Sequence, residues 1–290
     1  MIQIIINSII STSIYLLIGI SFSIIYKIYK FFDLSHAAIL TCAAYICLLL
    51  LNLQKIGAGI FIIAVILCSI MGCILELTIL KYHRRKANSK LILMLTSIGI
   101  FIIIQNSISM IFGDETKSIR SKVVEKGTQV FGATITPTQE IIILIGVIVS
   151  IIIYLGLKYT KIGKSSKAVE SQAEIARLSG INTNQVIFWS MALGSAVAGL
   201  AGILIALDVD MTPTMGMNAL LMGIVAMIIG GVKSIPGIAL GALLLALSQN
   251  IGTWYFGAQW QDAIAFGILL VFLIFRPQGF LGKKIKKATV

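Results

Sequence analysis

The stretch MIQIIINSIISTSIYLLIGISFSIIYK, residues 1–27, decides the fold class. It is an apolar run about as long as a bilayer-crossing helix, which needs ~20 residues, and it has no basic leader. It therefore reads as a first membrane span and not as a cleaved signal. The rest of the chain repeats the pattern. With 58% hydrophobic residues, 12% charged residues and a mean hydropathy of +1.01 over 290 residues, the protein is too apolar for a soluble globular domain. Apolar runs fall at roughly 2–26, 34–51, 56–80, 91–112, 139–158, 185–207, 215–232, 238–252 and 262–275, each bounded by polar or charged residues. The eighth is short enough to be re-entrant, and a re-entrant pair would mimic a span on each side of KSIPG, residues 233–237. The expected fold is all-α: a polytopic integral membrane protein of about eight or nine transmembrane or re-entrant helices, in one transmembrane domain over residues 1–290.

The net charge of +12 does not point to nucleic acid, because the Lys and Arg residues lie in short clusters at the ends of apolar runs and not on one amphipathic face. Their bias orients the chain. With the N-terminus outside, only Lys55, Lys117, Arg120, Lys122 and Lys126 of the 23 Lys and Arg residues fall on the outer side. The C-terminus is then cytoplasmic, and so is the segment 159–184. The longest outer segment, the loop over 113–138, is too polar to span and reads as a small external cap. Cys42, Cys47, Cys68 and Cys73 lie inside apolar runs with no CxxC pair, so they read as small hydrophobes, without a disulfide framework. Two histidines in the chain make a metal site improbable, and no cofactor is expected.

Residues 167–182, KAVESQAEIARLSGIN, form a polar, Ala-rich helix that stands out from this background. Ser165 or Ser166 is placed to cap its start, SQAE from Ser171 matches the capping-box spacing and allows a break there, and Gly180 supplies a left-handed stop. Val169, Ala173 and Ala176 form a mildly apolar stripe. That stripe suits either the groove of a partner protein or the chain's own surface. Gly163-Lys164-Ser165 resembles the end of a phosphate-binding loop, but Lys158 stands where that loop needs its first Gly, which excludes nucleotide binding. Gly194, Ala198 and Gly202 recur every four residues, as do Ser195 and Gly199, and Gly237 and Gly241 repeat the spacing. Such small faces let helices approach closely in lipid.

Polar groups at membrane depth are Glu76, Gln105, Asn106, Asn218, Gln249 and Asn250. Glu76 lies one turn from Lys81 and is expected to snorkel to the inner interface. Asp33 is placed to cap the second helix, and His36, one turn on, to hydrogen-bond between helices. Gln105-Asn106 and Gln249-Asn250 hint at a duplicated element, or equally at interhelical hydrogen bonds. There is no nucleophile elbow, HExxH pair or carboxylate set on one helix face, so a transport protein is favoured over an enzyme.

The chain resembles the permease subunits of branched-chain amino-acid ABC importers. The resemblance runs in order through FFDLSHA (31–37), LILMLTSIGIFIIIQNSISMIFG (91–113), AEIARLSGIN (173–182), GSAVAGLAGIL (194–204), IIGGVKSIPGIALGALLLAL (228–247) and FRPQGFLG (275–282). Asp33 stands where the family usually has Asn, and Ala37 where it usually has Gly. The resemblance implies a permease domain whose cytoplasmic segment, Ala168 to Asn182, sits in a groove of a separate ATPase, with Glu170, Ala173, Ala176, Arg177, Gly180 and Asn182 as the coupling residues. It further implies two ABC ATPase subunits, a second permease subunit that is a paralogue or a second copy, and an extracytoplasmic solute-binding protein that delivers the amino acid, in the bacterial inner or plasma membrane. His36, Gln105 and Asn106 are the candidate polar lining of the translocation path. The alternative reading is a self-sufficient secondary transporter or channel for a small solute, disfavoured by the few paired ionisable groups in the spans.

Overall fold

A computed structural model describes residues 1–52, 59–86, 90–119, 127–130 and 132–282. Lys55, Arg120, Lys122 and Lys126, and Lys283, Lys284, Lys286 and Lys287 in the C-terminal cluster, all used above to orient the chain, lie outside the described residues. The elements run α1 (Ile2–Tyr29), α2 (Ser35–Asn52), α3 (Gly59–Leu75), a π-helical turn (Glu76–Leu80), α4 (Lys81–Lys86), α5 (Lys90–Phe112), β1 (Thr128–Val130), β2 (Ala133–Ile135), α6 (Pro137–Tyr159), α7 (Lys161–Ser171), α8 (Ala173–Leu178), α9 (Thr183–Asp208), α10 (Met215–Gly230), α11 (Ile235–Phe256) and α12 (Gln261–Phe275), with a 3₁₀ turn (Ala258–Trp260) before α12.

Among the described residues, eight helical segments are long and apolar enough to cross a membrane, and α10 is a shorter apolar helix. This corrects the expected spans: the short run is the seventh, not the eighth. Helix α11 has 22 residues because Ser234 accepts from the Gly237 N–H at 3.1 Å and Pro236 fits the first turn, so the helix starts ahead of residue 238. It continues beyond Asn250, whose side-chain amide donates back to the Ala246 carbonyl at 2.9 Å.

Two sets of contacts define two opposite faces. At one, Gln3 exchanges hydrogen bonds with the backbone of Thr134, Gln139 donates to Asp208, and Lys117 pairs antiparallel with Met211. At the other, Tyr29 donates to Glu76, Lys233 pairs with Glu170, and the Phe280 N–H donates to the Ile229 carbonyl. Residue 211 and residue 233 are therefore on opposite faces, and α10 connects them. Its 16 residues span only about 24 Å, against a hydrocarbon core of ~30 Å. The remainder is irregular backbone. It is tolerated because it is covered: Met211 and Pro213 are buried, and Phe280 and Leu281 donate to the carbonyls of Ile229 and Gly230 at the helix end.

Helix α1 occupies the centre, packed against α6, α9, α10 and α11, and α9 packs in turn on α2 and α3. Here the small residues matter. A Cβ on Gly202 would overlap the Leu40 carbonyl, and one on Gly241 the Ala226 carbonyl, so α9 meets α2 and α11 meets α10 backbone to backbone. The periphery is α5, α6 and α12, which turn Ile103, Ile111, Leu144, Ile152, Leu270 and Ile274 outward. In a lipid solvent those side chains need no further cover. The loop between α5 and α6 carries a feature that the expectation of an all-helical chain lacks, the antiparallel hairpin β1–β2, which Gln3 ties to the start of α1.

Candidate functional site at one face of the bundle

The polar Ala-rich segment is two helices, not one. Thr160 caps α7 by accepting from the Gly163 N–H at 3.1 Å, a role expected of Ser165 or Ser166, which instead lie inside the helix. Gln172 is extended, with φ −150°, and separates α7 from α8. The break falls where the sequence allows it, yet SQAE forms no capping box, because Ser171 is still the last residue of α7. Gly180 has φ +83°, the left-handed stop, while the Ile181 N–H donates to the Ala176 carbonyl at 3.0 Å. Asn182 then caps α9 through the Gln185 N–H at 3.3 Å.

The break re-aims the stripe. Val169 and Ala176, 2% and 3% exposed, pack together with Val186 of α9, so these two residues cover the chain's own surface. Ala173 is exposed, and the apolar residues of α8 that face outward are Ile175 and Leu178, at 57% and 87% exposure, flanked by Glu174 and Arg177. Sequence spacing missed this pair because the stripe Val169, Ala173 and Ala176 was drawn at continuous helical spacing across the break that the sequence allowed. Glu170 turns the other way and accepts from Lys233 of the α10–α11 turn at 2.9 Å.

Beside α8 lies a buried polar cluster. Glu76 does not snorkel past Lys81: its side chain is 2% exposed, accepts the Tyr29 hydroxyl, and pairs with Arg84 at 2.7 Å. The π-helical turn at Glu76–Leu80 resets the phase between the two partners, and Arg84 also lies 5.5 Å from the Tyr29 ring centroid and within 3.5 Å of Asn184 on α9. On the next helix junction Asp33 accepts from the N–H and hydroxyl of Ser35 at the start of α2. Burial pushes its carboxyl up to about 6, against the lowering effect of those two bonds. His36 bonds through Nε2 to Ser21 of α1, and Ser21 donates to the Gly194 carbonyl at 3.1 Å, so α1, α2 and α9 share one polar chain.

The three candidates for a polar path are not brought together. His36 is fully buried, Gln105 is half-buried, and Asn106 is exposed and donates to its own Ile102 carbonyl at 2.7 Å. The Leu34 N–H donates to Ser97, which sets α2 against α5; Gln105 lies two turns beyond that level, about 12 Å along the helix. Gln249, by contrast, is buried and donates to Met222 Sδ and to the Gln261 carbonyl, joining α11 to α10 and α12.

A many-span helical bundle with small-residue packing and an exposed helical elbow on one face defines a polytopic membrane protein. The chain belongs to the family described as "Branched-chain amino acid transport system / permease component", whose pattern matches residues 4–273. It is 27% identical to the high-affinity branched-chain amino acid transport system permease protein BraD of Pseudomonas aeruginosa, over 97% of this chain and 95% of that one. It is 26% identical to the corresponding LivH of Escherichia coli K12, over 96% and 94%. Among solved structures it resembles PsaBC from Streptococcus pneumoniae in complex with Fab, with a TM-score of 0.54, 13% identity, and coverage of 94% and 91%, a likeness of fold alone. Its eight apolar helices and its family make it a multi-pass protein of the bacterial cytoplasmic membrane.

Proposed function

We propose that this chain is the translocating subunit of an ATP-driven importer for branched-chain or other hydrophobic amino acids. The observation that carries the proposal is the family match over residues 4–273. A second permease subunit, paralogue or self, forms the path with it, an extracytoplasmic solute-binding protein delivers the amino acid, and two ABC ATPases supply the energy. In this reading the loop 113–138 is external and the segment 159–184 is the cytoplasmic coupling element. The exposed Ala173, Ile175, Arg177 and Leu178 meet the ATPase, while Ala176, Gly180 and Asn182 hold the elbow in shape and Glu170 ties it to Lys233. Transport is alternating access in which movement of α8 reaches α9 directly and α3 through Asn184, Arg84 and Glu76. His36, Gln105 and Asn106 remain proposed path residues, with His36 at one level of the bundle and the adjacent Gln105 and Asn106 at another.

The test is amino-acid uptake in cells lacking other such carriers, with and without a partner ABC ATPase and a solute-binding protein from the same organism. Uptake that requires both is expected. Accumulation by the purified chain alone, driven by an ion gradient, would instead establish the self-sufficient carrier.

A further inference from the structure

On the face that carries α7, a cavity of about 360 Å³ opens between the ends of α1 and α6, α7, and the α10–α11 turn. Lys27, Lys158, Lys167 and Lys233 line it, with Glu170 as the one carboxylate. Lys233 already holds that carboxylate at 2.9 Å. Lys27 is half-buried on the wall of the cavity between Ile24 and Ile28. It feels repulsion from Lys167 and Lys233 as well as attraction to Glu170, and it makes no ion pair or hydrogen bond of its own among the described residues. The first turn of α11, Ser234 to Pro236, also lines the cavity, so the positive end of a 22-residue helix faces the same space. The Lys158 ammonium lies over the rings of Tyr154 and Tyr159, and Lys27, Lys167 and Lys233 around one engaged carboxylate still leave an excess of positive charge that an anion would neutralise.

The structure assigns this cavity as a binding site for a phosphate-bearing anion, with a membrane lipid as its carrier. Tyr154 and Leu157 form the wall on α6, and Ile151, Ile152 and Leu155 continue that wall outward as exposed apolar surface. A diacyl lipid fits that gradient: chains against α6, phosphate against Lys27 and Lys167, with the Ser166 hydroxyl as a further donor. Basic pockets between helices at the cytoplasmic boundary suit anionic headgroups on electrostatic grounds, at ~1 kcal/mol per lysine, or about fivefold in affinity. A bound lipid would join α1, α6, α7 and α11, the elements from which the elbow hangs, independently of whether an ATPase drives transport.

The experiment is thermal unfolding of the full-length protein in a neutral detergent, titrated separately with phosphatidylglycerol, phosphatidylcholine and inorganic phosphate. Phosphatidylglycerol should raise the midpoint where phosphatidylcholine does not, and Lys27→Gln and Lys167→Gln should each shift the half-effective concentration upward by about fivefold. Lys167 is exposed, so its variant remains informative if Lys27→Gln fails to fold. A response to inorganic phosphate alone, sensitive to the same substitutions, would keep the anion site and assign it to a soluble ligand. No response to either anion, or an equal loss in Lys90→Gln, which lies outside the cavity, would overturn the proposal.

Discussion

A carboxylate enclosed among apolar helices, as Glu76 is, persists only with partners that replace its hydration. Tyr29 and Arg84 are those partners. Arg84→Leu should therefore destabilise the protein by about 3–5 kcal/mol, because it leaves a buried charge unpaired. Glu76→Gln in the same chain should recover much of that loss. Thermal unfolding of the two single variants and the double variant in detergent gives the coupling directly; additive losses would show that the pair is not energetically joined. Local grammar is where the sequence is informative at this scale. The Gly180 stop and the Asp33 bond at the start of α2 depend on residues within a turn, whereas His36 was marked as an interhelical hydrogen-bonder without its partner Ser21, fifteen residues away on α1. The Glu76 pair was not readable, since its partner is eight residues on and meets it only through a π-helical turn. For the same reason the burial of Ala176 could not be read, because it depends on the bend at Gln172.

At the scale of elements, α8 is a six-residue helix with one buried and one exposed side, and the exposed side is the proposed ATPase contact. Leu178→Asp alters only the outward side, so it should abolish co-purification with the ATPase while leaving the stability within about 0.5 kcal/mol of wild type. Ala176→Asp places an uncompensated charge against Val169 and Val186 and should lower the midpoint itself. If Leu178→Asp still binds the ATPase normally, α8 is not the coupling element. Close approach governs the long helices in the same way. Gly202→Leu would drive a side chain into the Leu40 carbonyl, separating α9 from α2, and should destabilise by about 3 kcal/mol, measured by the same unfolding assay. The spacing of Gly194, Ala198 and Gly202 marked this face in the sequence, though it could not say which helix would lie across it. Helix lengths were less legible. The run drawn at 238–252 falls short of α11 at both ends, because the Ser234 cap starts the helix at Ile235 and it continues to Phe256, and α10 stops at Gly230, where the tail from Phe280 covers its last carbonyls.

For the whole molecule, the question is which face is which. The contacts place Gln3, Lys117, Thr134 and Met211 on one face, and Glu170, Lys233 and Phe280 on the other. Among the described residues, Lys81, Arg84, Lys161, Lys164, Lys167 and Arg177 fall with the second group, and on the positive-inside bias we propose that face as the cytoplasmic one. The native cysteines hardly interfere with a labelling test, since Cys42, Cys47 and Cys68 are buried and Cys73 is replaceable by Ala. In such a background Lys117→Cys should react with a membrane-impermeant maleimide on intact cells. Lys164→Cys and Lys233→Cys should react only once the cytoplasmic side is opened. Lys233 carries the decision, because it lies just past α10. Labelling together with Lys164 means that this 16-residue helix connects the two faces and that the C-terminal helix ends inside; labelling together with Lys117 means that α10 turns back, and every assignment from residue 233 onward is reversed.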